Sequence, residues 1–353
     1  MTRSGNMGLA KGKRVACGRP ILLSLLLSAL SALPFAATTQ AAPARQHDTR
    51  LILLGTKGGP TADVQRSEPA NLLLVDGRPY LIDAGAGTAR QLAAVHYPPP
   101  AIGTIFITHH HLDHTAGLEP LMALNWIGVG LSGKAVPPVQ IHGPPATRFL
   151  VEAAENYISV SERIFRAGIP KLPTVASRFV AHDITDDGPA YRDDLVSVTA
   201  AENTHFSHAS NGPDTPRDKS LSYRFETPSG SIVFTGDTGP SDAVVALAKG
   251  ADVLVSEVFQ PDPSLPSGRP AGGDALRQQL NEHMMREHLT PQEVGKLATR
   301  AGVKTVILTH IVAADSPALA EQLKAGVHEY FKGNVIVGHD LLSFDLGKRQ
   351  VEN

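Results

Sequence analysis

One cysteine in 353 residues, Cys17, leaves no partner for an intrachain disulfide and excludes a cysteine-ligated metal cluster. Aromatic residues make up only 5% of the chain. No basic run interleaved with aromatics follows the first forty residues, so the footprint of a dedicated nucleic-acid binder is missing. Neither charge dominates, with 32 basic against 34 acidic residues. No uninterrupted apolar run reaches the roughly 20 residues of a membrane-spanning helix, because Ile21 to Leu33 is broken by Ser24, Ser28 and Ser31. What is present is the balance of a globular protein: 42% hydrophobic and 19% charged residues can bury a sizeable core.

Arg3, Lys11, Lys13, Arg14 and Arg19 precede that apolar stretch, and Pro34 with the small-residue segment Ala36 to Ala42 follows it. This is the layout of a secretory signal peptide over residues 1–41, cut near Ala41. Lys13-Arg14 is not a twin-arginine pair, so the general secretory route is expected, and a periplasmic or secreted protein with no stable membrane span. Removing 1–41 takes Cys17 and leaves 27 basic against 34 acidic residues, about −7, a surface that repels polyanions. The expected partner is therefore a small-molecule ester, nucleic acid being disfavoured; a homo-oligomer is left open.

From Arg50 onward, apolar strands alternate with turns. Leu51 to Leu54, Asn71 to Val75 and Tyr80 to Ile82 read as strands, the last ending in Asp83-Ala84-Gly85. A similar hairpin recurs at Leu221 to Glu226 and Ser231 to Phe234, ending in Gly236-Asp237-Thr238-Gly239. Two related halves and independent hairpins explain this repetition equally well. Thr290, Pro291 and Glu293 supply an N-cap, a first-turn proline and a capping-box acid, and Gly302 a stop, so a helix is expected between them. Ser241 or Asp242 can cap another helix. Strand, helix, strand with short joints implies an α/β fold with two mixed sheets facing each other and helices outside. Ser207 to Lys219 and Gln260 to Gly273 read as pocket-bordering loops or plain connections. Residues 160–191, weakly periodic and proline-containing, read as an insertion in one domain spanning 42–353.

Thr108-His-His-His-Leu-Asp-His114 packs His109, His111, Asp113 and His114 into six positions directly after an apolar strand. Imidazole and carboxylate are the ligands borderline divalent ions prefer. The same arrangement, a buried strand ending in a ligand-type residue, recurs at Asp237 and His310, and His205 follows another strand-like segment. Strands of one sheet end on one edge, so these loops can converge. His208 competes with His205. His110 is expected to face away, and His283, His142, His182, His328 and His339 lack comparable context.

The signature His-x-His-x-Asp-His at His109 to His114 resembles that of the metallo-β-lactamase superfamily. Leu54 to Pro60, Tyr80 to Gly85, Gly236 to Thr238 and Leu308 to His310 resemble further motifs of its branch containing ribonuclease Z and alkyl or aryl sulfatases. The resemblance runs from about Arg50 to Asp345 and implies an αβ/βα four-layer sandwich with a dinuclear site at one edge. It implies that His109, His111 and His205 bind one ion, Asp113, His114 and His310 the other, and that Asp237 bridges them. Two divalent ions, zinc first with manganese or iron(II) as alternatives, would share and acidify a water. Asp113 can orient that water. His288-Leu289-Thr290 resembles a segment of the branch whose histidine contacts the scissile group, so His288 is expected to stabilise the transition state or protonate the leaving group.

The expected reaction is hydrolysis of a phosphodiester or sulfate ester, of the phosphodiesterase or arylsulfatase kind. A lactonase or β-lactamase-like hydrolase is the second reading; lactamases of the superfamily typically lack the bridging aspartate, which lactonases retain. A mononuclear iron oxygenase of the same fold needs only two histidines and one carboxylate. A non-catalytic binding module is the third class. Met284, Met285, Trp126 and Phe206 are candidates for an apolar wall or for core.

Overall fold

Strand formation follows the turn chemistry closely. In the computed structural model, which describes residues 47–61, 63–207, 218–261, 282–313 and 316–352, β1 (Thr49–Gly55), β2 (Ala70–Val75) and β3 (Arg78–Ile82) form an antiparallel meander. Val75 pairs with Arg78 across a two-residue turn, Asp76-Gly77, with φ of 49° and 81°. Those positive angles fit the right-handed twist of a tight hairpin, and Asp-Gly tolerates them. The stretch 1–41 lies outside the described residues, as do His208 and most of the stretches Ser207 to Lys219 and Gln260 to Gly273.

β4 (Thr104–Phe106), β5 (Val139–Gly143) and β6 (Phe179–Asp183) add in parallel to β3. In the second sheet β8 (Ser197–Glu202), β9 (Leu221–Thr227) and β10 (Gly230–Phe234) form a meander, and β11 (Val253–Phe259), β12 (Thr305–Val312) and β13 (Asn334–Val337) add in parallel. The six-strand orders and the senses of pairing are the same in both halves. β7 (Gly188–Arg192), which ends the first half, pairs with β8 in the second sheet, while β14 (Ser343–Asp345), near the end of the second half, pairs with β1 in the first. The halves therefore exchange their last strands. The repeated hairpin in the sequence reflects this pseudo-symmetry; β15 (Gln350–Glu352) extends the first sheet beyond it.

Three apolar clusters define four layers. One lies between the first sheet and its helices, including Leu118–Ser132 and Thr147–Gly168; one lies between the sheets; one lies between the second sheet and helices Asp242–Leu247, Pro291–Ala301 and Leu319–His328. Phe106 anchors the middle cluster, edge-on to Phe225, Tyr223 and Tyr191 at 5.1, 5.5 and 5.6 Å. The Thr290 hydroxyl accepts the Glu293 amide at 3.3 Å and Gly302 closes the helix at φ 67°, as the capping residues require. Ser241, not Asp242, caps the shorter helix.

The stretch expected as an insertion, 160–191, is part of the frame. It supplies the end of helix Thr147–Gly168 and the edge strands β6 and β7. Only residues 160–168 of it belong to that helix, and there Val160, Ile164 and Phe165 are apolar yet exposed, while the buried face, Val151, Ala154 and Ile158, lies before position 160. Among the described residues no helix is long and apolar enough to cross a membrane.

Candidate metal centre

The parallel strands of both sheets stop at one edge, where loops from each half meet. His109 and His111 follow β4, and the short helix Leu112–Thr115 then turns Asp113 and His114 back toward the same space. His205 follows β8, Asp237 follows β10, and His310 lies inside β12. His310 owes its placement to an irregular register: Ser256 pairs with Leu308, but Val258 pairs with Ile311. The extra residue in β12 is absorbed at His310, whose φ is 42°, and the bulge aims its ring out of the ladder.

The seven side chains anticipated from sequence converge. Donor atoms of His109, His111, His205 and Asp237 lie within 4.8 Å of one another, as do those of Asp113, His114, Asp237 and His310. Asp237 is common to both sets. Its Oδ2 lies 3.1 Å from His310 Nε2 and 3.8 Å from His109 Nε2, and its Oδ1 lies 3.3 Å from His114 Nε2. His111 Nδ1 and His205 Nε2 face each other at 3.2 Å.

His109 Nε2, His114 Nε2 and Asp237 Oδ1 are buried without a hydrogen-bond partner. Leaving three such atoms unsatisfied is costly, and a shared cation between them removes the cost. The opposite ring nitrogens are engaged: His114 Nδ1 with Asp83 Oδ2 at 2.9 Å, His109 Nδ1 with Thr108 Oγ1 at 3.1 Å, and His205 Nδ1 with the Glu287 carbonyl at 3.0 Å. Such contacts fix the tautomer and point the free nitrogen inward. The donor set therefore fits two adjacent divalent ions.

Charge divides the two sets. Burial pushes His205 down to about 3 and His109 well below its ordinary range, so these rings are neutral. His310 is equally buried, yet Asp237 and Asp113 outweigh that burial and hold it up at about 10; Asp237 and Asp83 raise His114 in the same way. Burial acts against ionisation of Asp113, but His310 and His114 hold it down at about 2. Those imidazole protons are the ones a divalent cation has to displace.

His288 is buried beside this centre, its Nδ1 3.9 Å from Asp237 Oδ2. Glu257 in β11, 1% exposed, holds that nitrogen at 2.8 Å through Oε2, while its Oε1 accepts the Thr238 amide at 2.8 Å. Burial lowers the His288 pKa and Glu257 more than restores it, giving a net rise. Sequence reasoning missed Glu257 and Asp83. The available signals were an acid inside an otherwise apolar strand and an acid closing a strand before two small residues.

A cleft of about 270 Å³ opens onto the centre. Pro60, Leu112, Met284 and Val312 give it apolar walls, and His283 lines it as well. Leu112, in the ligand turn, is 71% exposed. Phe206 packs on the rings of His205 and His111 at 4.7 and 5.1 Å, whereas Trp126 is core, donating Nε1–H to the Pro173 carbonyl. Met285 is exposed. His110 turns away to Thr147 Oγ1 at 2.9 Å, and His142 stacks on His182 at 4.6 Å, remote from this chemistry.

Residues 78–311 match the family model for the β-lactamase superfamily domain. Over 303 residues, 85% of this chain and 99% of the relative, the sequence is 31% identical to a protein named ribonuclease Z from Mycobacterium bovis. Among solved structures, the metallo-β-lactamase fold protein YhfI from Bacillus subtilis superposes with a TM-score of 0.62 at 18% identity, covering 84% of this chain and 99% of that one. The short form of human tRNase Z superposes with a TM-score of 0.59 at 20% identity and the same coverage. The two structures share the fold. The mycobacterial relative overturns the expectation that nucleic acid is disfavoured. That expectation rested on a missing basic run and on net charge, which sums over the whole surface and says little about the local field where divalent ions meet a scissile phosphate.

Proposed function

This chain belongs to the metallo-β-lactamase superfamily and is a metal-dependent hydrolase homologous to ribonuclease Z; on that premise we propose that it cleaves phosphodiester bonds in nucleic acid, RNA first. The observation that carries the reading is the pair of donor sets joined through Asp237, with the Glu257–His288 pair beside them. We assign His109, His111, His205 and Asp237 to one ion and Asp113, His114, His310 and Asp237 to the other. Zinc suits a set rich in imidazole; manganese or iron(II) is the alternative.

Two bound divalent ions supply Lewis acidity that acidifies water and offsets charge on the attacked phosphate. Asp113, its Oδ2 fixed by the Gly59 amide at 3.0 Å, takes the proton from the attacking water. As the new P–O bond forms, the bond to the leaving oxygen breaks and that oxygen needs a proton. His288 is the donor: Glu257 keeps its ring protonated and oriented. Neither step requires a side-chain nucleophile.

Metal quantification with a labelled RNA substrate and an activated aryl phosphodiester tests this. Asp237→Ala is expected to lose metal and turnover together, His288→Ala to keep metal and turn over slowly. Activity of both variants equal to that of the unaltered protein would reject the assignment.

A further inference from the structure

In the turn between β13 and β14, Asp340 gathers four hydrogen bonds. Its Oδ1 accepts the Thr56 amide at 3.0 Å and the Thr56 hydroxyl at 2.8 Å. Its Oδ2 accepts the Ser67 amide at 2.7 Å and Gln91 Nε2 at 2.8 Å. Thr56 and Ser67 are the two ends of one loop, and Lys57 N also donates to the Ser67 carbonyl at 3.0 Å. One carboxylate thus ties the loop shut at its base.

The tip of that loop reaches the metal centre in three ways. Gly59 N–H donates to Asp113 Oδ2. Thr56 and Gly58 bracket Ile311: the Ile311 amide donates to the Thr56 carbonyl at 2.8 Å, and the Gly58 amide donates to the Ile311 carbonyl at 3.2 Å. Gly58 also lies so close to the His310 ring that a Cβ there would come within 2.7 Å of Nδ1. His310 itself is at φ 42°, left-handed for a residue with a side chain, and such a backbone persists only when its surroundings over-determine it. The bonds to Ile311 and the packing of Gly58 are those surroundings.

We propose that Asp340 is a positioning residue for one half of the metal centre: by closing the loop it holds Asp113 and His310 in ligand geometry, while His109, His111 and His205 are built independently of it. The inference rests on the two-ion reading above. Oδ1 and Oδ2 each take two donors, so Asp340→Asn keeps the shape but turns an amide N–H toward groups that already donate, loosening the loop without leaving a hole.

The test measures metal stoichiometry and affinity by titrating Zn²⁺ into apoprotein, with thermal unfolding followed in parallel. The unaltered protein is expected to bind two ions, and Asp340→Asn to bind one unchanged and the other about 10- to 100-fold more weakly, the range for loss of a contact that orients a metal ligand. In a His310→Ala background, where the second ion is already lost, Asp340→Asn is expected to leave the affinity of the remaining ion unchanged. Val327→Ala, on the buried face of helix Leu319–His328, serves as the control for general destabilisation and is expected to keep both ions. Two ions bound at full affinity by Asp340→Asn, or equal weakening of both, would overturn the proposal. Failure of the unaltered protein to bind a second ion would instead overturn the two-ion reading.

Discussion

Replacing Glu257 by Gln removes one charge from a fully enclosed pair and changes little else. The amide keeps an oxygen for the Thr238 N–H, so the turn after β10 is retained. His288 loses the anion at 2.8 Å that outweighs its burial. An opposite charge at that range shifts a pKa by about 1–3 units, each unit a factor of ten. The sign follows from the role assigned to the ring. A proton donor works below its pKa, and Glu257 raises that pKa, so the native pair extends activity toward alkaline pH. In Glu257→Gln the alkaline limb of kcat/KM is expected to move down by about 1–3 pH units, with the acid limb in place. Above the old limb the rate falls by about 10- to 1000-fold, and by less between the two limbs. Glu257→Ala is the poorer probe, because stripping one partner from a buried pair costs about 3–5 kcal/mol of stability. Profiles are measured with two diesters, one with a nitrophenol leaving group and one with a ribose hydroxyl. The alkoxide needs its proton far more than the nitrophenolate does, so the loss is expected to be larger on RNA. An alkaline limb that stays put, or equal losses on both substrates, would sink the idea that His288 delivers a proton.

Asp83→Asn is expected to weaken metal binding about 10- to 100-fold, since Asp83 both orients His114 and anchors Thr108; calorimetric affinity equal to that of the parent protein would refute this. Metal uptake is expected to release protons, because His310 is held at about 10 and His114 is raised as well, so affinity climbs with pH. Binding enthalpies that do not vary with the ionisation heat of the buffer would count against it. The first 41 residues are expected to be removed in a secreting host, and N-terminal sequencing should then begin at Ala42; an intact chain retained in the cytoplasm speaks against export.

Legibility followed the range of each interaction. Hairpins were readable where Asp76-Gly77 demanded positive φ, and the helix at Pro291 where Thr290 and Gly302 marked its ends. The proposed ligands were read from the density of His109 to His114 and from Asp237 and His310 at the ends of apolar strands, and the full set of seven, with His205 over His208, from the family resemblance. The stretch 160–191 reads as an insertion because it holds only the last turns of its helix, where Val160, Ile164 and Phe165 are exposed and no buried face shows. Nucleic acid was disfavoured on bulk charge and a missing basic run, features blind to what one cleft recognises.

Sequence alone determined the chemistry on offer, namely imidazoles and carboxylates at strand ends, since that information lies within a few neighbouring residues. Tertiary structure alone decided which acids support which histidines. Glu257 meets His288 and Asp83 meets His114 across 31 residues, and Asp340 reaches Thr56 across 284. Contacts at such separations depend on strand order and are specified by packing of the whole sandwich, with no local pattern to announce them.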